Sequence, residues 1–135
     1  MVRVICGKKG SGKTKIMLDT ANEIVSHDKG IVVFMDPTES HMYNLDKRIR
    51  YVDLKEYRIQ GAKALTAFIL GGLSQNYDID VIFIDALFKV NSDNEKDNAE
   101  FFQQIENIST EHNVDFYISV SADKETCPSY LAKYI

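Results

Sequence analysis

Four short apolar runs divide the chain: Val2-Arg3-Val4-Ile5-Cys6, Ile31-Val32-Val33-Phe34-Met35, Val81-Ile82-Phe83-Ile84 and Asp115-Phe116-Tyr117-Ile118-Ser119-Val120-Ser121. The second and third are continuous and rich in β-branched residues, as strands covered on both faces should be. The fourth alternates, and its serines are unusual for a fully buried strand. Between the runs the spacing changes to that of a helix. Ile16, Met17, Ala21, Ile24 and Val25 predict a helix from Lys13 to about Ser26. Leu65, Ile69 and Leu73, with Ala64 and Phe68 beside them, predict another from Tyr57 to about Gln75. Phe101, Ile105 and Ile108 predict a third that ends near Asn113. Strands alternating with helices imply an α/β fold, a three-layer α-β-α sandwich around a mostly parallel sheet.

Turn chemistry supplies the boundaries. His27-Asp28-Lys29-Gly30 stops the first helix, with Gly30 as its terminator. Pro37 ends the second strand, and Thr38 or Ser40 can cap a short helix through about Arg48. Tyr51-Val52-Asp53-Leu54 reads as a brief edge strand. Gly71 and Gly72 either weaken the second long helix or admit a close neighbour. Ser92-Asp93-Asn94-Glu95 has the form of a capping box opening the third. The tail carries Tyr130, Leu131, Tyr134 and Ile135, apolar enough to dock. The 135 residues show no repeat or linker and are read as one domain.

Composition narrows the classes. Hydrophobic residues make up 44% and charged residues 27%, ordinary for a globular protein. A net charge of −4 argues against a broad nucleic-acid surface. The longest mostly apolar stretch, Ala64 to Leu73, is too short to span a bilayer. The first strand leads straight into a motif that a signal peptide would consume, so a cytoplasmic location is expected. Cys6 and Cys127 fit neither a disulfide framework nor a metal-binding spacing, and Cys6 is expected to be a small core residue rather than a bonded one.

The strongest chemical signal follows the first strand. Gly7-Lys8-Lys9-Gly10-Ser11-Gly12-Lys13-Thr14 fits G-x-x-x-x-G-K-[ST], the phosphate-binding P-loop or Walker A pattern, at every fixed position. Its glycines let backbone N–H groups converge on phosphate oxygens, and the helix behind adds the positive end of its dipole. Lys13 is expected to reach the β/γ-phosphates, Thr14 to offer its hydroxyl to Mg²⁺, and Lys15 to complete the phosphate-binding set. With Gly at an average usage of ~7%, chance gives this pattern in well under about one chain of this length in a hundred. The bland alternative is a Gly-rich turn that binds nothing.

A bound Mg²⁺ calls for a carboxylate at the tip of a neighbouring strand. Asp36 and Asp85 both end apolar runs, and either could instead be a strand-ending turn residue. Asp85 is favoured on topology.

With these motifs the chain resembles the P-loop NTPases of the RecA-like, additional-strand type. The resemblance covers residues 2 to about 121, and only its Walker A part is specific. It implies that the last main strand slots between the first and third, giving the order 1-4-3-2 for the four main strands. It further implies that Val81–Asp85 is the Walker B strand, that Glu39 orients the attacking water, and that Ser119 and Ser121 lie where relatives carry a polar sensor of the γ-phosphate. The chain also looks like small single-domain ATP-binding proteins. There are departures. No acidic residue directly follows Asp85, since Ala86-Leu87-Phe88 come next, which leaves Glu39 as the substitute base, or else as a solvated first-turn residue. Ser119 and Ser121 have a plain reading as strand residues bonded to backbone. Neither D-x-x-G nor N-K-x-D is present, so ATP is expected over GTP. Relatives often borrow an arginine from a neighbouring subunit; Arg48, Arg50 and Arg58 are the candidates here. The edge beyond the first strand should be covered by the tail or by self-association.

Three functions fit. The first is a Mg-dependent ATPase using Lys13, Thr14, Asp85 and Glu39. The second is a small phosphotransferase, although the zinc-bearing segment and post-Walker-B glutamate of thymidine-kinase-like proteins are absent. The third is a module without turnover whose segments 36–50 and 86–98 are ordered by ATP to meet an unknown protein partner.

Overall fold

A computed structural model describes residues 1–38, 40–123, 125 and 127–135. The five strands are β1 (Val2–Gly7), β2 (Ile31–Asp36), β3 (Arg50–Asp53), β4 (Ile79–Ile84) and β5 (Asp115–Ser121). They form one sheet of order β1-β5-β4-β2-β3, parallel at every pairing. The helices are α1 (Lys13–His27), α2 (Ala62–Gln75), α3 (Leu87–Val90) and α4 (Glu95–His112).

Side-chain alternation along the strands divides the core in two. Val32 and Phe34 of β2, with Val81 and Phe83 of β4, turn to Met17, Ala21 and Val25 of α1. Val33 and Met35, with Ile82 and Ile84, turn the opposite way to Leu65, Ile69 and Leu73 of α2 and to Phe101 and Ile105 of α4. Every second strand residue thus meets a different helical layer, which explains why the runs are apolar throughout rather than alternating. The aromatic rings Phe34, Phe83 and Tyr117 stack across three adjacent strands on the α1 side, with centroids 5.8 and 4.8 Å apart.

Several boundaries differ from expectation. The helix expected up to Arg48 is only a 3₁₀ turn at Met42–Asn44. Side chains take the backbone donors there: Asp46 N–H goes to Asn22 at 2.8 Å, and Arg48 N–H to the Asp46 carboxylate at 2.9 Å. Helix α2 starts at Ala62 and not near Tyr57, because Arg58 and Gly61 have positive φ. Ala62 N–H is then accepted by Asp93 at 2.8 Å. Ser92 is not the cap of α4, so the box expected between Ser92 and Glu95 does not open it. Asn94 caps α4 instead, accepting Asp97 N–H at 2.9 Å. Gly71 and Gly72 admit no close neighbour, since a Cβ at either would meet nothing within 4 Å. Short α3 was not expected.

The cysteines require a correction. Cys6 and Cys127 are joined as a disulfide, with Cα atoms 6.6 Å apart. Their separation of 121 residues gave no hint of it. The chain leaves β5 with Ala122 N–H bonded to the Gly7 carbonyl at 3.0 Å, so the tail passes the carboxyl end of β1 where Cys6 lies. Beyond it, the 3₁₀ turns of Ser129–Tyr134 bury Leu131 and Tyr134 and pack against β1.

Candidate functional site

Parallel pairing brings the carboxyl ends of β1, β5, β4 and β2 to one side of the sheet, where ligands of open α/β sheets bind. The register aligns Gly7 with Ser121, Ile84 with Ile118 and Met35 with Ile84, so Asp85 and Asp36 emerge side by side. A cleft of about 610 Å³ opens there. Its wall is made by the loop after β1 together with Thr38, His41, Asp85 and Ser119.

The loop between β1 and α1 turns through Gly10 and Gly12, whose φ of 83° and 89° a larger side chain would adopt only with strain. Gly12 precedes the first turn of α1, which has no side-chain cap and no acidic residue. The N-terminal amides of a fifteen-residue helix thus face the cleft beside the loop. Lys13 is almost wholly buried, and its ammonium donates to the Lys8 carbonyl at 2.8 Å, bridging the loop. Burial pushes the Lys13 ammonium below its ordinary value, and the Asp85 carboxylate pulls it part of the way back. Lys9, Gly10, Gly12, Thr14 and Lys15 also line the cleft. Lys8, by contrast, extends outward to Asp123 at 3.3 Å.

Asp85 is 3% exposed and lies one residue past β4. Thr14 donates its hydroxyl to Asp85 Oδ2 at 3.0 Å, and Ser119 donates to Oδ1 at 2.5 Å. Ser119 in turn accepts the Ala86 N–H at 2.8 Å. Ala86 holds a left-handed conformation, φ 51°, that bends the chain sharply away from β4 into α3. Ser121 lines the cleft but is exposed.

Asp36 has a different environment. It has no exposed surface and accepts four hydrogen bonds: Thr38 N–H at 2.9 Å, Thr38 hydroxyl at 2.8 Å, Tyr51 hydroxyl at 2.9 Å and His41 Nδ1 at 2.7 Å. Burial pushes its pKa up, but the bonds from Thr38, His41 and Tyr51 outweigh that and hold it below the usual carboxylate value. The Tyr51 phenol is correspondingly pushed up, by burial first and by Asp36 second. Edge strand β3 is what brings Tyr51 there, pairing it with Phe34.

Ligand atoms of Asp36, His41 and Asp85 all lie within 4.8 Å of one another, a group that could hold a cation. The two carboxylates are not equivalent. An ionised carboxylate offers about four acceptor sites. Those of Asp36 are filled, whereas Asp85 has accepted only the bonds from Thr14 and Ser119 among the described residues. The donor set that fits a hard divalent cation is therefore Asp85 with Thr14.

Glu39 lies outside the described residues. Arg48 is tied to Asp46 by two bonds of 3.0 Å, and Arg50 to Asn76 at 3.1 Å. Arg58 lines a separate cleft with Pro37 and Leu54. None of the three arginines lines the main cleft. Sequence reasoning missed His41, the Asp36–Tyr51 contact, and Phe88 and Lys89 of α3 at the rim. The available signal was a histidine five residues after a strand-ending Asp, within a turn-forming segment.

Among the described residues, no helix is long and apolar enough to cross a membrane. No family model matches the chain, and no match was found among the curated proteins searched.

Proposed function

We propose that the protein binds Mg-ATP in this cleft and hydrolyses it. The observation that carries the reading is the 3.0 Å bond between Thr14 and Asp85. A hydroxyl from the Gly-rich loop and a carboxylate from a strand two places away meet where a metal bridging nucleotide phosphates would sit. Mg²⁺ held there would neutralise charge developing on the phosphate oxygens. The loop amides, the start of α1 and Lys13 would bind the phosphate chain, with Lys13 leaving the Lys8 carbonyl for the incoming oxygens.

A sheet in which β5 separates β1 from β4 supports a P-loop core of the RecA-like, additional-strand type. ATP is preferred to GTP because the chain carries neither guanine-recognition motif. On this reading Glu39 and Ser121 are further candidates for contact with the terminal phosphate, and Ser119 acts through Asp85.

The test is phosphate release from ATP with Mg²⁺ by wild type and Lys13→Ala. Release that requires Mg²⁺ and disappears in the variant supports hydrolysis. Tight binding without turnover would favour a nucleotide-dependent binding module. ADP formation that depends on an added nucleoside would favour a phosphotransferase.

A further inference from the structure

We propose that His41, held by Asp36, is the base that takes the proton from the water attacking the terminal phosphoryl group, an inference that rests on the ATP-hydrolysis reading above. Asp36 is ionised and acceptor-only, so its 2.7 Å contact with His41 Nδ1 requires the proton to be on that nitrogen. In the neutral form of the ring, that tautomer leaves the lone pair on Nε2. Thr38 and Tyr51 occupy the other acceptor sites of Asp36, so the carboxylate cannot turn away from the ring. A buried carboxylate that fixes tautomer and orientation, then stabilises the imidazolium, is the arrangement by which His–Asp pairs act as bases.

The pair is also in the right place. His41 lines the same cleft as Lys13, Thr14 and Asp85. A ring nitrogen of His41 lies within 4.8 Å of an Asp85 carboxylate oxygen. A phosphate chain bound by the loop would point its terminal group between Asp85 and His41. In the step, the water oxygen forms a bond to the terminal phosphorus and its proton passes to Nε2. The bond from phosphorus to the bridging oxygen breaks, and ADP leaves with that electron pair. The proton on His41 is then returned to the released phosphate or to solvent. No acid directly follows Asp85, where Ala86 stands, and this histidine supplies the base that the strand lacks at that position.

The experiment measures binding of a non-hydrolysable ATP analogue and steady-state turnover in wild type, His41→Gly, His41→Gln and Glu39→Gln. Turnover of His41→Gly is repeated with added imidazole. The expected result is analogue binding within about threefold of wild type throughout, with kcat of both His41 variants lower by about a hundredfold or more. Imidazole should restore His41→Gly at least about tenfold and leave wild type unchanged. Unchanged kcat in the His41 variants, a loss that imidazole does not restore, or a kcat loss confined to Glu39→Gln would overturn the assignment. Wild type that binds the analogue without turnover would overturn it and hydrolysis together, leaving nucleotide binding intact. Wild type that binds no analogue would refute the reading on which it rests. His41→Gln and the binding measurement separate a lost base from a lost fold.

Discussion

Ser119 and Asp85 are locked together across two neighbouring strands, the serine donating to the carboxylate at 2.5 Å while accepting the next residue's N–H at 2.8 Å. Both side chains are buried, so neither bond is readily replaced by water. Ser119→Ala would leave Ala86 N–H and Asp85 Oδ1 without these partners. The expected cost is about 1–3 kcal/mol of stability, read as a lower melting temperature. Ser121→Ala, two residues on and exposed, should stay within about 0.5 kcal/mol of wild type. Equal effects would mean that Ser119 does not organise the strand tip.

Asp36 should make stability fall in acid. Its folded-state pKa lies below the ordinary carboxylate value, so its contribution is fully present above about pH 4. That contribution is lost as the pH falls through the folded-state pKa. At pH 7, Asp36→Asn should cost on the order of 3 kcal/mol, because an amide cannot accept all four bonds and a buried network is broken. Denaturant titrations of both proteins at pH 7 and near pH 3 should show the difference narrowing in acid. A constant difference would contradict the assignment of an ionised, fully bonded carboxylate.

The Cys6–Cys127 bond should stabilise the chain by restricting its unfolded state. Closing a loop of this length is worth about 2–5 kcal/mol. Reduction, or Cys127→Ser, should lower the melting temperature and release the docked tail to protease near Tyr130–Tyr134. An intact mass showing two free thiols in the oxidised protein would refute the pairing.

Much of the frame was legible because burial on both faces forces continuous apolar runs, and the strands at Val2, Ile31, Val81 and Asp115 began within two residues of expectation. The loop after β1 was legible because its turn through Gly10 and Gly12 is fixed by local residue type. What could not be read depends on contacts between distant residues. Arg58 and Gly61 cut α2 short through local conformation that periodicity does not report. The disulfide depends on where the tail passes. Asp36 and Asp85 look alike in sequence, each ending an apolar run. Only the partners tell them apart: β3 brings Tyr51 to Asp36, whereas β5 and α1 bring Ser119 and Thr14 to Asp85. His41 was missed for the same reason, since its significance comes from the saturated carboxylate behind it.

The most direct measurement of the central claim is calorimetric titration of wild type and Lys13→Ala with ATP, with and without Mg²⁺, followed by Asp85→Asn. Wild type should bind one ATP per chain, and Lys13→Ala at least about tenfold more weakly, the scale of a charge-assisted bond to phosphate. Asp85→Asn should still bind ATP but lose the gain that Mg²⁺ brings. No saturable binding by wild type, or equal affinity in Lys13→Ala, would contradict the assignment of this cleft to a nucleotide.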